Sequence, residues 1–534
     1  MSLKQLLEEH LKAHPTPEAK ISYGTAGFRS KATNLDYVNY TVGILAALRS
    51  KHFKGKTIGL MVTASHNPPE DNGVKLVDPY GSMLESSWEQ HATNLANSSH
   101  DELLKTIEGI VLTFGIDMDQ EANVVVGMDS RDSSPELTQS SIDGLKSIPF
   151  TKYTNYGLLT TPQLHYLTRT SNDPSFGEVS EAGYYSKITK AYQNIYKLAN
   201  LEGKSDVTID SANGVGAPKI SILLNDYLLN ELSFTSVNEA ISLPDLLNYE
   251  CGADFVKTNQ RLPKNVENPK INILYASFDG DADRLICYYQ NEQDEFKLLD
   301  GDKIATLIAT FFQKILKDID ESKLSLKIGL VQTAYANGAS TKFVEDVLKI
   351  PVSCTPTGVK HLHHEAEKFD IGVYFEANGH GTVIFSPDAE ASIFNFESSN
   401  EKEEKAIRIL QEFSKLINQT VGDAITDLLA VLIIMKLLDL TPEDWEKSYK
   451  DLPNKLIKVI VSDRSIFKTT NAERTLVEPE GLQEKIDELV KKYPHGRSFV
   501  RASGTEDAVR VYAEADTNEH ANELVNSVAN LVKS

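Results

Sequence analysis

Residues 63–75 read Thr-Ala-Ser-His-Asn-Pro-Pro-Glu-Asp-Asn-Gly-Val-Lys, directly after the apolar run Ile58–Val62. The apolar run predicts a buried strand, which delivers Ser65 to its carboxyl end. Two prolines make the following loop rigid, and the Asn-Gly pair is expected to turn it. A small hydroxyl at the mouth of an α/β sheet, flanked by His66 and Lys75, is placed to react or to carry a group. The alternative is an ordinary strand-to-helix turn, because short motifs also match by chance.

Two further strand-like runs end in the same way. Ile273–Phe278 leads into Asp-Gly-Asp-Ala-Asp-Arg at 279–284, and Ile371–Phe375 leads into Glu-Ala-Asn-Gly-His at 376–380. Ligands bind at the carboxyl ends of strands in open α/β sheets, so each loop is a candidate part of one site. Strand-like runs alternate with helical patterns along most of the chain, which is typical of α/β domains. We therefore predict three similar α/β domains with mixed sheets around a central cleft, each contributing one loop.

The C-terminal part of the chain has a different pattern. Residues 498–501 and 508–513 predict two strands, and the helix after them has apolar residues at i, i+3, i+4 spacing. This order of elements predicts a smaller α+β domain. The predicted domain bounds are 1–187, 188–315, 316–450 and 451–534.

Composition excludes several classes of protein. A chain of 534 residues is too long for one hydrophobic core, which indicates several domains. Lysine and arginine number 54 against 76 aspartates and glutamates, and the net charge of −22 argues against nucleic acid or an anionic membrane as partner. Three cysteines lie far apart without Cys-x-x-Cys spacing. This argues against a disulfide framework or a zinc site and fits a reducing compartment.

Two segments bear on location. The first residues contain no signal-peptide core and have the pattern of an amphipathic helix, so a cytoplasmic location is expected. Residues 424–440 are strongly apolar, but they include Asp427, Lys436 and Asp439. The run is also shorter than the ~20 uncharged residues that a membrane span requires. It therefore predicts a helix buried between layers.

The alternating aspartates Asp279, Asp281 and Asp283 predict a metal site. In an extended strand end all three side chains would point the same way, and three like charges repel unless a cation lies between them. Carboxylate oxygens suit magnesium or calcium, not zinc. An EF-hand is excluded, because its Gly and Glu positions hold Arg284 and Gln290 here. The remaining alternative is an exposed acidic turn.

A magnesium ion with three protein carboxylates has room for one more oxygen, which a phosphate on Ser65 would supply. Arg284, beside the acids, and Arg29, in a Gly-containing turn, can stabilise a moving phosphoryl group. A surface salt bridge is an equal alternative for Arg29. Lys75 is the best candidate for a general base, since a lysine among cations has a lowered pKa. His66 is the second candidate, or it only orients the loop.

A loop near the C-terminus has the composition of a phosphate grip. Glycine lets the backbone approach an anion, hydroxyls and amides can form a nest, and arginines bind phosphate with two-pronged hydrogen bonds. The alternative is a β-hairpin turn with incidental polar residues. The candidate residues are Arg501, Ala502, Ser503, Gly504, Thr505 and Arg510.

The loop at 376–380 offers donors and acceptors for sugar hydroxyls, and a second short polar loop can add to it. Each of these two signals is weak when taken alone. The candidate residues are Glu376, Ala377, Asn378 and His380, with Thr357 and Gly358 from the second loop.

In combination and in this order, these loops resemble the α-D-phosphohexomutase superfamily. Residues 63–68 resemble its phosphoserine loop, 279–284 its magnesium loop, 376–380 its sugar loop, and 501–505 with Arg510 its phosphate loop. The family fold is four domains around a central cleft. The sugar loop departs from the Gly-Glu-x-Ser-Gly pattern of glucose and mannose enzymes, because an Asn takes the place of the Ser. This departure, and the early position of the serine loop, resemble the eukaryotic phosphoacetylglucosamine mutase branch.

The resemblance implies a phosphoserine enzyme with one Mg²⁺ per active site. Phosphorylated Ser65 would give its phosphoryl group to a sugar monophosphate, forming a sugar 1,6-bisphosphate that turns around and returns its other phosphate. The implied substrates are N-acetylglucosamine 6-phosphate and 1-phosphate, on the route to UDP-N-acetylglucosamine. No obligate protein partner is implied.

Three alternatives stay open from the sequence. The nearest is a phosphoglucomutase or phosphomannomutase. The second is a non-catalytic sugar-phosphate sensor on the same scaffold, which the presence of every expected reactive residue disfavours. The third is an acidic scaffold protein without magnesium-dependent activity.

Overall fold

The computed structural model describes residues 3–24, 26–503 and 507–533. Strands and helices alternate along these residues, and the chain forms two compact units. Unit 1 contains residues 1–298 and 408–437, and unit 2 contains residues 299–407 and 438–534. Each unit therefore consists of two separate parts of the chain.

The first sheet of unit 1 carries the serine loop. Its strands are β1 (Phe28–Lys31), β2 (Ile58–Val62), β3 (Asp71–Val77), β4 (Ala122–Met128) and β5 (Thr151–Leu158), in the order β1-β3-β2-β4-β5. Strands β2, β4 and β5 are parallel, whereas β3 is antiparallel to both β1 and β2. All five residues of β2 are buried, as its apolar sequence predicts. The accompanying helices are α1 (Leu3–His10), α2 (Asp36–His52), α3 (Ser86–Ala96), α4 (His100–Phe114), α5 (Ser134–Lys146), α6 (Thr161–Asn172) and α7 (Glu181–Leu198).

The second sheet of unit 1 carries the aspartate loop. Its strands are β6 (Ser205–Asp210), β7 (Leu232–Val237), β8 (Leu274–Phe278), β9 (Leu285–Gln290) and β10 (Phe296–Leu299), in the order β10-β9-β8-β6-β7. Strands β7, β6 and β8 are parallel, and β9 is antiparallel to β8. Helices α8 (Gly216–Asp226) and α9 (Ala253–Asn259) accompany this sheet in the chain. The aspartate loop connects β8 to β9.

The third sheet belongs to unit 2. Its strands are β11 (Ile328–Thr333), β12 (Val352–Thr355), β13 (Ile371–Phe375) and β14 (Gly381–Phe385), in the order β12-β11-β13-β14. Strand β14 is antiparallel to β13, and the other pairs are parallel. The helices in this part of the chain are α10 (Gly301–Leu316), α11 (Gly338–Lys342), α12 (Val359–Ala366), α13 (Pro387–Phe394) and α14 (Glu401–Leu416). A π-helical turn, Phe343–Leu348, continues α11.

Helix α15 (Ala424–Leu438) is the apolar segment predicted to be buried, and this prediction is confirmed. Residues 424–435 are all buried, within the part of the chain that belongs to unit 1. Across the residues described, no helix combines the length and apolar character that crossing a membrane requires.

The C-terminal part of unit 2 contains two antiparallel sheets. Strands β15 (Asn454–Ile460), β18 (Arg497–Ala502) and β19 (Ala508–Glu514) form a sheet in the order β15-β19-β18. Strands β16 (Lys468–Thr470) and β17 (Thr475–Glu478) form a separate pair. The helices are α16 (Pro442–Glu446), α17 (Leu482–Val490) and α18 (Asn518–Lys533). The apolar face of α18 packs with Val500 and Val511 in one core, as the spacing of its apolar residues predicts.

The predicted fold class is confirmed, since mixed sheets with helices are followed by an antiparallel sheet with helices. One local prediction is wrong, and one alternative is excluded. The pair at residues 72–73 lies inside β3 and forms no turn, because β3 pairs with strands on both sides. The serine loop consequently joins two strands, not a strand and a helix.

Candidate active site

Ser65 lies in the short loop between β2 and β3, and it is fully buried. Its backbone has φ of +52°, a left-handed conformation that non-glycine residues seldom adopt. The Ser65 N–H donates to Thr63 Oγ1 at 3.0 Å, and the Thr63 hydroxyl donates to Asp129 Oδ2 at 2.7 Å. Strained backbone of this kind persists only where its surroundings fix it, and it is common at functional sites.

Two side chains hold the serine loop through its carbonyl groups. The buried Arg131 donates to the carbonyl oxygens of Ser65, Asn67, Pro68 and Asp71 at 2.6–3.0 Å. Its Nε is paired with Asp129 at 3.0 Å. Asn248 Nδ2 also donates to the Ser65 carbonyl, at 2.9 Å.

Neither Arg131 nor Asn248 was expected from the sequence. Arg131 had a usable signal, since the apolar strand β4 ends directly before an Asp-Ser-Arg sequence at 129–131. Asn248 lies in a connection without such a pattern.

The three aspartates converge beside the serine. The Ser65 hydroxyl donates to Asp279 Oδ2 at 2.6 Å. Oxygens of Asp279, Asp281 and Asp283 all lie within 4.8 Å of one another, and all three residues are buried. The expected extended conformation is wrong, however. The segment is a turn, with Ala282 at φ of +56°, and its curvature brings the carboxylates together.

The serine and aspartate loops approach each other at Gly280. A Cβ atom at this position would lie 2.5 Å from the Ser65 carbonyl oxygen, well inside contact distance. Gly280 therefore permits a close approach that any side chain would prevent.

The charge of the aspartate loop fits a divalent cation. Burial, together with Asp283 and Asp281, raises the pKa of Asp279 well above its ordinary value. Among the described residues, Asp281 Oδ1 is buried without a hydrogen-bond partner. A hard cation accepts oxygen ligands in this arrangement and relieves the repulsion between them. The alternative of an exposed acidic turn is wrong, since all three aspartates are buried.

Four cationic or titratable groups surround this cluster. Arg284 Nε lies 3.8 Å from Asp279, and Lys75 Nζ lies 3.4 Å from Asp281 and 3.6 Å from Asp283. The expectation that Lys75 lies among cations is not met, because the ion-pair partners of Lys75 are carboxylates. Lys75 lies on β3, which begins at Asp71, and not in the serine loop itself.

Arg29 and His66 complete the surroundings of the serine. Burial and the neighbouring Arg284 lower the pKa of Arg29. Arg29 makes no ion pair with any described residue, which removes the surface salt bridge as its explanation. Arg284, burial and Arg29 lower the pKa of His66 to about 2, so its ring is neutral at physiological pH. A neutral ring suits an orienting role better than proton storage.

The sugar-loop candidates of unit 2 form a tight turn after β13. The Gly379 and Glu376 backbones are linked by a hydrogen bond of 2.9 Å, and His380 N–H donates to Asn378 Oδ1 at 3.0 Å. Ala377 accepts a backbone hydrogen bond from Gly301, at the start of α10. The turn is therefore fixed on the sheet edge with Glu376 and Asn378 half-buried and His380 buried.

The phosphate-loop candidates lie on β18 and β19. Arg501 is directly opposite Arg510 in the antiparallel pair, and Ser503 N–H donates to the Ala508 carbonyl at 2.8 Å. Cross-strand partners share one face, so two guanidinium groups lie side by side. Ala502 continues β18, and Gly504 and Thr505 lie outside the described residues.

The second polar loop of unit 2 meets the turn between β16 and β17. Thr357 donates to Glu473 Oε2 through its N–H at 2.9 Å and its hydroxyl at 2.6 Å. Gly358 follows with φ of +125° and precedes helix α12. Within unit 1 the structure thus brings Ser65 and the three aspartates together. Within unit 2 it links Thr357 to Arg501 through Glu473.

Models of known protein families match most of this chain, each over a different segment. The models of phosphoacetylglucosamine mutase AMG1 match residues 176–286 with domain II and 300–440 with domain III. The C-terminal domain model of phosphoglucomutase/phosphomannomutase matches residues 456–531. Its alpha/beta/alpha domain I model matches residues 43–103 and 98–176.

Relatives match along their whole length. The phosphoacetylglucosamine mutase of Candida albicans is 64% identical over 100% of both chains. The human phosphoacetylglucosamine mutase is 50% identical over 97% of this chain and 94% of its own.

Solved structures agree with this similarity. An N-acetylglucosamine-phosphate mutase of the alpha-D-phosphohexomutase superfamily, in its substrate complex, gives a TM-score of 0.98 at 65% identity, covering 100% of both chains. The Aspergillus fumigatus N-acetylphosphoglucosamine mutase in complex with GlcNAc-6P and magnesium gives 0.95 at 46%, covering 100% of this chain and 99% of its own. A serine-to-alanine variant of that enzyme, in complex with glucose 1,6-bisphosphate, gives 0.94 at 46%, covering 99% and 98%. This chain therefore belongs to the phosphoacetylglucosamine mutase family of the α-D-phosphohexomutase superfamily.

Proposed function

We propose that the chain interconverts N-acetylglucosamine 6-phosphate and N-acetylglucosamine 1-phosphate, with phosphorylated Ser65 carrying the phosphoryl group. The observation that carries the proposal is the 2.6 Å contact between the Ser65 hydroxyl and Asp279, inside a buried trio of carboxylates. A nucleophilic hydroxyl beside a cation site is the arrangement that phosphoryl transfer needs. As a member of its family, the enzyme is an isomerase that serves UDP-N-acetylglucosamine synthesis.

The reaction has two half-reactions that mirror each other. In the first, the bond between phosphorus and Ser65 Oγ breaks, and a bond forms between phosphorus and the free sugar hydroxyl. The hydroxyl loses its proton to a base, and Lys75 remains the proposed residue although it pairs with Asp281 and Asp283 in this structure. The resulting 1,6-bisphosphate turns around, and its other phosphate returns to Ser65. Arg29 and Arg284 stabilise the transferring phosphoryl group, while His66 orients the loop.

Asp279, Asp281 and Asp283, with an oxygen on Ser65, would hold Mg²⁺. Bound there, the ion withdraws charge from the phosphate and favours its transfer. The A. fumigatus relative in complex with GlcNAc-6P and magnesium, and its variant in complex with glucose 1,6-bisphosphate, support this cofactor and this intermediate.

The phosphate that does not react is proposed to bind to the loop on β18 and β19, and the sugar to the loop after β13. In this proposal the unreactive phosphate is held by Arg501, Ala502, Ser503, Gly504, Thr505 and Arg510. The sugar is held by Glu376, Ala377, Asn378 and His380, with Thr357 and Gly358. Orientation by a phosphate grip suits both half-reactions, since the same loop must hold either end of the bisphosphate.

The four domains proposed from the sequence keep the bounds 1–187, 188–315, 316–450 and 451–534. A cytoplasmic location remains a proposal that rests on the pattern of the first residues and on the scattered cysteines. Independence from nucleic acid and anionic membranes rests on the acidic composition, and independence from an obligate protein partner rests on the family resemblance.

Replacing Ser65 with alanine tests the mechanism. Ser65→Ala is expected to abolish turnover, because no other described hydroxyl donates to Asp279, while sugar-phosphate binding largely survives. Ser87→Ala, at an exposed serine, is the matched control. Intact mass and peptide mapping of the active enzyme should find one phosphate on Ser65. Full turnover by Ser65→Ala would refute the proposed carrier.

Parallel assays with glucose, mannose and N-acetylglucosamine phosphates test the substrate. We expect the acetylated sugar to have by far the highest kcat/KM. Equal kcat/KM for glucose phosphate would favour a phosphoglucomutase instead.

A further inference from the structure

The turn between β16 and β17 has an unusual backbone. Asn471, Ala472 and Glu473 have φ of +53°, +55° and +64°, three consecutive non-glycine residues in the left-handed region. Each such residue costs conformational energy, which must be offset by other contacts. Arg474 clamps the turn by donating to the Asn471 carbonyl at 3.0 Å and its Oδ1 at 2.7 Å. The result is a fixed direction for the Glu473 side chain.

The Glu473 carboxylate connects two loops that belong to the proposed substrate site. Oε2 accepts both hydrogen bonds of Thr357, and Oε1 forms an ion pair with Arg501 Nε at 3.4 Å. The side chains of Arg501 and Glu473 are only 18% and 20% exposed, so solvent screens this pair weakly. The guanidinium of Arg501 also lies over the Tyr335 ring, with its carbon atom 5.9 Å from the ring centroid.

Arg501 lies at the end of a row of three basic residues on the C-terminal sheet. Lys458, Arg510 and Arg501 lie side by side across β15, β19 and β18, in one row on one face of the sheet. Like charges directly opposite each other are destabilising. Glu473 places one negative charge next to Arg501, at one end of this row.

We propose that Glu473 is a positioning residue that orients Arg501 and ties the Thr357 loop to it, for the substrate phosphate that does not react. This inference rests on the proposed function of the phosphate loop. Glu473 itself need not touch the substrate. Its ion pair with Nε restrains the guanidinium before the phosphate binds, so that less rotational freedom is lost on binding.

Two variants separate the carboxylate from the backbone. Glu473→Gln keeps an oxygen that can accept from Thr357 but removes the charge that holds Arg501. Glu473→Gly removes both contacts and relieves the left-handed backbone, so the fold should be no less stable. Glu478→Gln, which breaks an exposed ion pair with Lys468 on the same two-stranded sheet, is the matched control.

The expected result is weaker binding without slower chemistry. KM for N-acetylglucosamine 6-phosphate should rise about threefold in Glu473→Gln and about tenfold in Glu473→Gly, with kcat within about twofold of the unmodified enzyme. The midpoint of thermal unfolding should not fall in Glu473→Gly. The control should match the unmodified enzyme in all three quantities.

Binding measured by calorimetry in a Ser65→Ala background separates this inference from the proposed function. The Kd of the sugar phosphate should rise in parallel with KM when Glu473→Gly is added. Unchanged Kd and KM in both variants would overturn the role of Glu473, while the carrier role of Ser65 would stand. Turnover by Ser65→Ala alone would instead refute the proposed function.

Discussion

The serine loop can lie close to the aspartate loop because residue 280 is a glycine and has no Cβ atom. Gly280 faces the Ser65 carbonyl so closely that a Cβ would lie 2.5 Å from it and 3.1 Å from Asn248 Nδ2. Neither neighbour can yield easily, since the first is backbone and the second holds that backbone. The separation of the serine loop and the aspartate loop at this point therefore depends on glycine at position 280.

Gly280→Ala is expected to impair catalysis more than folding. A displacement of the serine loop approaching 1 Å should lower kcat/KM roughly tenfold to a hundredfold. Unfolding free energy should fall by about 1–3 kcal/mol from overpacking. Steady-state kinetics and thermal unfolding measure the two effects.

Gly109→Ala provides the control for that substitution. A Cβ on Gly109, in helix α4, would meet nothing within 4 Å. Activity should be unchanged, and the helix should gain about 0.5–1 kcal/mol. Equal activity of Gly280→Ala and Gly109→Ala would show that the two loops accommodate a Cβ atom at position 280.

At the residue scale, the candidate site residues Ser65, Asp279, Asp281 and Asp283 could be predicted from the sequence, whereas the residues that hold the serine loop could not. Ser65 and the three aspartates follow buried strands, a pattern that burial of the strand produces directly. Arg131 and Asn248 donate to backbone carbonyls of the serine loop. Every residue has a carbonyl, so the sequence of the loop does not indicate that these contacts exist. The surroundings of Lys75 could not be predicted either, because its carboxylate partners come from a distant part of the chain.

Among the elements, α15 shows how an apolar helix tolerates a charge-bearing residue. Both oxygens of Asp427 are buried without a hydrogen-bond partner among the described residues. Burial and the neighbouring Asp423 raise the pKa of Asp427 well above its ordinary 3.8. The folded state therefore holds a proton that the unfolded state releases, and stability falls as pH rises above about 3.8.

Asp427→Asn should remove this dependence, because the amide does not ionise. The variant should match the unmodified chain near pH 4 and exceed it at pH 8, by about 2 °C or more in the midpoint of thermal unfolding. Some pH dependence should persist, since burial raises the pKa of Asp423 to about 6 and this residue is kept. A variant less stable than the unmodified chain at pH 8 would contradict this reading.

The positions of most elements named in the sequence analysis could be predicted, and the exception is β3. The strands β2, β13, β18 and β19 and the helices α15 and α18 follow their apolar patterns. The Asn-Gly pair at 72–73 favours a turn locally, but β3 continues through it because ladders on both edges outweigh that preference. The turn preference of Asn-Gly depends only on neighbouring residues. The pairing of β3 with β1 and β2 depends on residues farther away in the chain.

On the scale of the whole molecule, unit 1 is discontinuous, because residues 408–437 complete a body formed by residues 1–298. The second part makes specific contacts with the first. Asp423 accepts from the Tyr184 hydroxyl at 2.8 Å, and Ala424 N–H donates to the Ala282 carbonyl, in the aspartate loop, at 3.1 Å. Hydrophobic patterns do not indicate which compact unit a helix joins, so this return of the chain to unit 1 could not be predicted.

A fragment of residues 1–298 should consequently fail to fold cooperatively. It lacks α15, so the surface that this helix covers is exposed to water. A fragment of residues 1–437 contains all of unit 1 and should retain one cooperative thermal transition, detectable by near-UV circular dichroism. A sharp transition in the shorter fragment would mean that α15 is dispensable.

The discontinuity of unit 1 also has a consequence during translation. The ribosome must finish residues 299–407 before the closing helix of unit 1 emerges. At about 5–20 residues per second, this wait lasts on the order of ten seconds. During that interval the apolar surface that α15 later covers is exposed, and such transiently exposed surface favours aggregation and chaperone binding.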